Sequence, residues 1–292
     1  MRVLHPVATE PTPDAAISLV TRLGFASLEV TVASVLQRVA EPVWLEEAAS
    51  ANLVARFLAE QERVAHQSLD AAATLYATRG AKAERALVSG FTAASLQKLA
   101  DDGRFDLVAL VAGDKTRLDR LFAGSVSRAL VSSAPQSVLV AKGEVKPSGR
   151  VDVVVATDHS PACNRAIDRF LSWAPGGLGE VTIMSAFSDE LVEALAVAAP
   201  TADVDWADVV RAEIDKKNFA LLERFRPFAT TLRSSVRAEK PDVAIALEMR
   251  ERSAELLILG AQGHGFFERA ALGSVSFRQV SEAATSTLVL RG

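Results

Sequence analysis

The feature that most narrows what this 292-residue chain can fold into is its resemblance to itself. Shifted by 149 residues without a gap, residues 105–143 (FDLVALVAGDKTRLDRLFAGSVSRALVSSAPQSVLVAKG) lie on residues 254–292 (AELLILGAQGHGFFERAALGSVSFRQVSEAATSTLVLRG). The two Gly-Ser-Val-Ser runs coincide, Gly124 to Ser127 on Gly273 to Ser276. At nearly the same shift, EVTVAS (29–34) matches EVTIMS (180–185), and ATEPTP (8–13) matches ATDHSP (156–161). The pattern predicts a tandem duplication with domains at 1–143 and 150–292. KGEVKPSGR, residues 142–150, joins them and reads as an exposed polar linker. The length agrees, because single cores stop growing near about 250–300 residues.

Composition removes several classes of function. Hydrophobic residues at 49% and charged residues at 23% describe a folded chain rather than a disordered one. The 32 Lys and Arg against 36 Asp and Glu leave a formal charge of −4, so no global positive field draws nucleic acid or an anionic membrane. The single cysteine, Cys163, fits a reducing compartment, and the expected location is the cytoplasm. The first residues lack the apolar centre of a signal peptide. Apolar runs such as 107–112 and 256–259 are far shorter than the ~20 residues of a membrane span.

Within each half, short apolar runs alternate with helical patterns. In the second half the strands are expected at 151–156, 181–186, 232–238, 256–260 and 287–290. One-sided helices are expected around residues 53–76, carried by Leu53, Val54, Phe57, Leu58, Val64, Ala65, Leu69, Ala72, Leu75 and Tyr76, and around 209–225. Strands apolar on both faces and separated by helices predict an α/β fold. The expected architecture is two doubly wound domains, each a five-stranded, mostly parallel sheet flanked by helices. Ligands in such sheets sit beyond the carboxyl ends of the strands, where the strand order reverses.

The segment leaving the fourth strand of the second half is Gly260-Ala-Gln-Gly263-His264-Gly265, followed by Gly273-Ser274-Val275-Ser276 at the start of a helical pattern. Glycines here allow positive φ, close backbone approach and an anion-binding nest of amides. The helix opening near Ser274 adds its free amides and the positive end of its dipole, with the Ser274 and Ser276 hydroxyls as further donors. His264 can donate to a phosphate or face solvent. The segment is neither a Walker loop nor a dinucleotide fingerprint, since no Gly-Lys-[Ser/Thr] occurs and Glu268 stands where the third glycine belongs. Turn formation and helix capping are the plainer uses of the same residues.

Gly260, Gly263, Gly273 and Ser274 satisfy the spacing Gly, two residues, Gly, nine residues, Gly-[Ser/Thr], and in this the chain resembles the universal stress proteins. The likeness extends through Thr157-Asp158-x-Ser160 and the closing Ser-Thr-Leu-Val-Leu strand in the second copy. It implies an adenine nucleotide, ATP or AMP or ADP, with or without Mg2+. By that resemblance Asp158, beside Thr157, meets the adenosine part, and the backbone near Ala186 meets the adenine. Gly260, Gly263, Gly273, Ser274, Val275 and Ser276 hold ribose and phosphates. The resemblance also implies that the halves pair through their last strands, 137–141 and 287–290, as a pseudo-dimer, with a homodimer as a further possibility.

The first copy departs from the pattern. Val111 stands for Gly260 and Asp114 for Gly263, while Gly124-Ser125 remains. A β-branched residue resists positive φ, and a carboxylate repels phosphates, by ~4 kcal/mol for two unit charges 4 Å apart at an effective dielectric of 20. Glu10 is aligned with Asp158. The first domain is therefore expected to be structural and not to bind nucleotide. His5, His66, His159 and His264 show no metal-ligand spacing, Cys163 reads as an ordinary helix residue, and Trp44, Trp173 and Trp206 read as packing residues. The leading expectation is a nucleotide-binding stress-response regulator with an unknown protein partner. An enzyme hydrolysing ATP or transferring its adenylyl group, and a scaffold without nucleotide, are the alternatives. No positioned base or lysine near the glycine loop favours the enzyme, and weak hydrolysis is the most it would do.

Overall fold

The computed structural model describes residues 1–7, 15–37, 48–112, 125–143, 145–199, 204–262 and 272–292. In the first half β1 (Arg2–Pro6), α1 (Ala15–Arg22), β2 (Glu29–Gln37), α2 (Ala48–Thr78), β3 (Ala83–Gly90), α3 (Thr92–Asp102), β4 (Leu107–Val111), α4 (Ser125–Ser133) and β5 (Ser137–Ala141) follow one another. The second half repeats the series: β6 (Val151–Ala156), α5 (Pro161–Ser172), β7 (Leu178–Ala186), α6 (Asp189–Ala198), α7 (Trp206–Phe225), β8 (Ala229–Arg237), α8 (Pro241–Arg252), β9 (Leu256–Gly260), α9 (Ser274–Glu282) and β10 (Ser286–Leu290).

All ten strands form one sheet in the order β3-β2-β1-β4-β5-β10-β9-β6-β7-β8. Neighbours are parallel within each half, and the halves meet where β5 and β10 pair antiparallel. Val153, Val154 and Val155 are all buried although they alternate between faces, because helices cover both sides. On one face a single apolar cluster runs through both halves, from Val3 and Leu139 to Ile258 and Leu290. On the other face the core divides into a cluster around β1, β4 and β5 and a smaller one around Val154, Met184, Ile245 and Leu257.

The seam has pseudo-twofold symmetry. Leu139 pairs with Leu288, its own counterpart in the other copy. Past the strand ends, the Lys142 amide donates to Ser286 Oγ and the Arg291 amide to Ser137 Oγ, both at 3.0 Å. Arg22 closes the seam from α1. Its guanidinium makes a bidentate pair with Glu255 at 2.9 Å and donates to the carbonyls of Lys146, Gly149 and Arg150. Burial alone would raise the Glu255 carboxyl, but the Arg22 pair holds it below the usual carboxylate range. Residues 146–150 of the linker are exposed as expected, whereas Lys142 and Val145 are partly buried, and linker carbonyls are bound by Arg22 and by Arg79, which reaches Pro147.

The long amphipathic segments are helices, but part of the apolar pattern is uncovered in both, Val209 and Phe219 of α7 being exposed. Ala65, Leu69, Ala72 and Tyr76 of α2 are buried, whereas Phe57 and Leu58 are about half exposed. The apolar rhythm outruns the sheet that the helix covers.

Candidate functional site

Three strand ends converge at the reversal of strand order between β6 and β9. The chain leaves β6 through Thr157-Asp158-His159-Ser160 into α5. Ser160 is the N-cap, its Oγ accepting from the Cys163 amide at 3.2 Å, and Pro161 follows at the first helical position. Asp158 Oδ1 accepts from the Ser160 amide at 3.0 Å. Asp158 thus shapes the turn without capping the helix, and the residue stays exposed at the cavity mouth.

His159 lies in the left-handed region at φ 57°, unusual for a non-glycine residue, and a buried polar network holds it there. Its Nε2 meets Asn218 Oδ1 at 2.8 Å. Asn218 is fully buried on α7 and donates through Nδ2 to Ser234 Oγ and the Ser235 carbonyl. Ser185 Oγ donates to the Thr157 carbonyl at 2.9 Å, tying the turn to β7. Burial lowers the His159 pKa, with the Asn218 bond opposing it, so the ring is neutral near pH 7. This network was not visible in either copy alone. The signal lay in their comparison, since Asn218 stands where the first copy has the buried Leu69.

A cavity of about 270 Å³ opens at these strand ends. Thr157, Asp158, Ala186, Gly260, Gly273, Ser274, Val275 and Ser276, all singled out from sequence, line it together. Leu259, Met184, Ile245 and Cys163 complete an apolar wall. Gly263, His264 and Gly265 lie outside the described residues, as do Asp114, Gly124, Glu10 and Trp44.

Of the loop glycines, Gly260 and Gly273 lie within the described residues. Gly273 has φ −62°, and Gly260 is not among the left-handed residues, so positive φ explains neither. A Cβ at Gly260 would lie 3.3 Å from the Gln262 carbonyl oxygen and 3.4 Å from Cys163 Cα and Sγ. The missing side chain lets β9 approach the first turn of α5, whose Cys163 shares the cavity wall. Gly273 is the N-cap of α9 and supplies no side-chain acceptor, which leaves the first-turn amides to other partners. The Gly273 amide donates to the Ala261 carbonyl at 2.8 Å, pinning the segment's return. Ser276 Oγ donates to the Gly260 carbonyl at 2.7 Å, so this hydroxyl proton is committed to the fold and is not a free ligand donor. Ser274 is exposed at the helix start.

Strand register also corrects the alignment of the first strands. Val7 donates to the Ala33 carbonyl as Thr157 does to that of Met184, which makes Val7 the counterpart of Thr157. Burial raises the Cys163 thiol, and only 3% of the residue is exposed, in keeping with a packing role rather than a thiolate nucleophile.

The universal stress protein family model matches residues 1–142 and again residues 151–291. The chain belongs to the universal stress protein family. Among solved structures it is similar to a universal stress protein from Archaeoglobus fulgidus, with 18% identity, a TM-score of 0.66, and 99% of this chain and 98% of that one covered. A functionally unknown protein from Pseudomonas aeruginosa is similar at 15% identity and a TM-score of 0.60, covering 99% and 92%. At these identities the likeness is one of fold. No match is found among curated proteins. Among the described residues of this universal stress protein no helix is long and apolar enough to cross a membrane, and no group of three potential metal ligands stands together.

Proposed function

We propose that this universal stress protein binds one adenine nucleotide, ATP or AMP or ADP with or without Mg2+, in its second half. The first half is a structural partner, and occupancy alters a surface read by another protein in a stress response. The observation that carries this reading is the convergence of eight sequence-selected residues on one cavity. Its chemistry suits the ligand. Met184, Ile245 and Val275 offer apolar surface to a flat base, and Asp158 offers a carboxylate to hydroxyls at the mouth. The N-terminus of α9 favours an anionic group. The volume lies just below the usual range of about 300–1,000 Å³ for small-molecule sites, which suits a nucleoside with its phosphates running outward. When bound, the nucleotide would supply the phosphates, and the chain's own contribution is to bind and orient them.

Calorimetric titration with ATP is expected to give one site per chain. Gly263→Asp, copying the first half, is expected to abolish binding, and Asp158→Ala to weaken it at least tenfold, or about 1.4 kcal/mol. Two equal sites, or unchanged affinity in Gly263→Asp, would overturn the reading. Mass spectrometry of small molecules released from the purified protein identifies the nucleotide.

A further inference from the structure

We infer that Lys142, a residue of the first half, is a positioning residue for the second half's cavity, acting through α9. Lys142 Nζ donates to three carbonyls at the end of that helix: Val280 at 2.5 Å, Ala283 at 2.7 Å and Gln279 at 3.5 Å. Those of Val280 and Ala283 are carbonyls that a helix end leaves without intrahelical partners, that of Gln279 also accepts from the Ala283 amide, and a cation there meets the negative end of the dipole.

The packing of α9 makes the contact more than a local cap. Val275, in its first turn, packs on the cluster of Val154, Met184 and Ile245 and lines the cavity. Val280, in its last turn, is buried in the other cluster, with Leu130, Val131 and Val138 of the first half. The helix is nine residues long, about 13–14 Å at 1.5 Å per residue. One end faces the cavity and the other is gripped by the neighbouring copy. A short rigid helix anchored by a charged group at one end has its far end placed by that anchor.

The pseudo-symmetry supplies a control. Arg291, the counterpart of Lys142, donates to the Val131 carbonyl at 2.6 Å, and Val131 is the counterpart of Val280. The grips are exchanged between the copies, but the helix held by Arg291 is α4 of the first half. If Lys142 acts by position, its loss affects the second cavity and the loss of Arg291 does not.

This inference rests on the nucleotide reading for its affinity arm only. Lys142→Met, Lys142→Arg and Arg291→Met are compared with the unaltered chain by hydrogen–deuterium exchange and by calorimetry with Mg-ATP. Lys142→Met is expected to speed exchange at the amides of residues 275–277 and to raise the Kd for Mg-ATP about tenfold, within the range of a charged group at a helix end. Lys142→Arg is expected to restore both, and Arg291→Met to leave both unchanged. Faster exchange confined to residues 279–283 with unchanged affinity would overturn the inference. So would an equal loss of affinity in Arg291→Met, which would mark a general weakening of the seam. Should the unaltered chain bind no Mg-ATP, the proposed function falls and the exchange measurement alone decides the mechanical link.

Discussion

At the scale of single residues, burial decides what chemistry is open. His5 is fully buried on β1, with Nδ1 3.0 Å from the Tyr76 hydroxyl, and burial pushes its pKa down to about 4. A base whose pKa is depressed in the folded state resists a proton that the unfolded chain accepts. Its contribution is therefore complete above about pH 6.5 and is lost progressively as pH falls towards 4, by up to about 3 kcal/mol. Strand register and helix position place Val155 and Phe225 at the matching sites of the second copy. His5→Val with Tyr76→Phe is expected to flatten the stability profile between pH 6.5 and 4, measured by urea unfolding. A slope unchanged in that window would assign it to other groups. Gly260→Val, copying Val111, pushes methyl groups at Cys163 and the Gln262 carbonyl. A loss of about 1–3 kcal/mol is expected from overpacking, partly recovered by adding Cys163→Ala, in a double-mutant cycle of chemical denaturation.

Among the elements, the strands were the most legible part of the sequence. The apolar runs of β6 and β9 are bounded as expected, because central strands buried on both faces leave an unbroken hydrophobic signature. β7 and β8 each start three residues before the apolar pattern does, at Leu178 and Ala229. Backbone pairing extends through Gly179, Thr230 and Thr231, whose side chains carry no apolar signal. The cavity wall was legible for residues joined by motif spacing, Gly260 and Gly273 to Ser276 and the Thr157-Asp158 turn. Met184, Ile245 and Pro241 were not, since each looks like ordinary core or helix start until the fold brings it to the same opening. The purpose of Gly260 was also hidden: the sequence reports a missing side chain, and only packing reveals that it faces Cys163.

For the molecule as a whole, the two copies share one core. The shared cluster beneath the sheet, the Arg22–Glu255 pair and the aromatic contacts of Phe25 with Phe170 and Trp173 all cross the seam. Gly177 fits so closely against Arg22 that an added Cβ would overlap its carbonyl. Chemical denaturation is expected to give a single transition, coincident by circular dichroism and tryptophan fluorescence. Arg22→Met strands Glu255 without its main partner and is expected to cost about 3–5 kcal/mol, the usual penalty for breaking a buried pair. Separate transitions in the unaltered chain would contradict the shared core. Joining β5 to β10 has a last consequence, for valency. The two borders through which the copies recognise one another are used up inside the chain, so another molecule can extend the sheet only at its outer rims, β3 and β8. Those rims bear Glu84, Arg85, Arg233 and Arg237, charges that discourage strand addition.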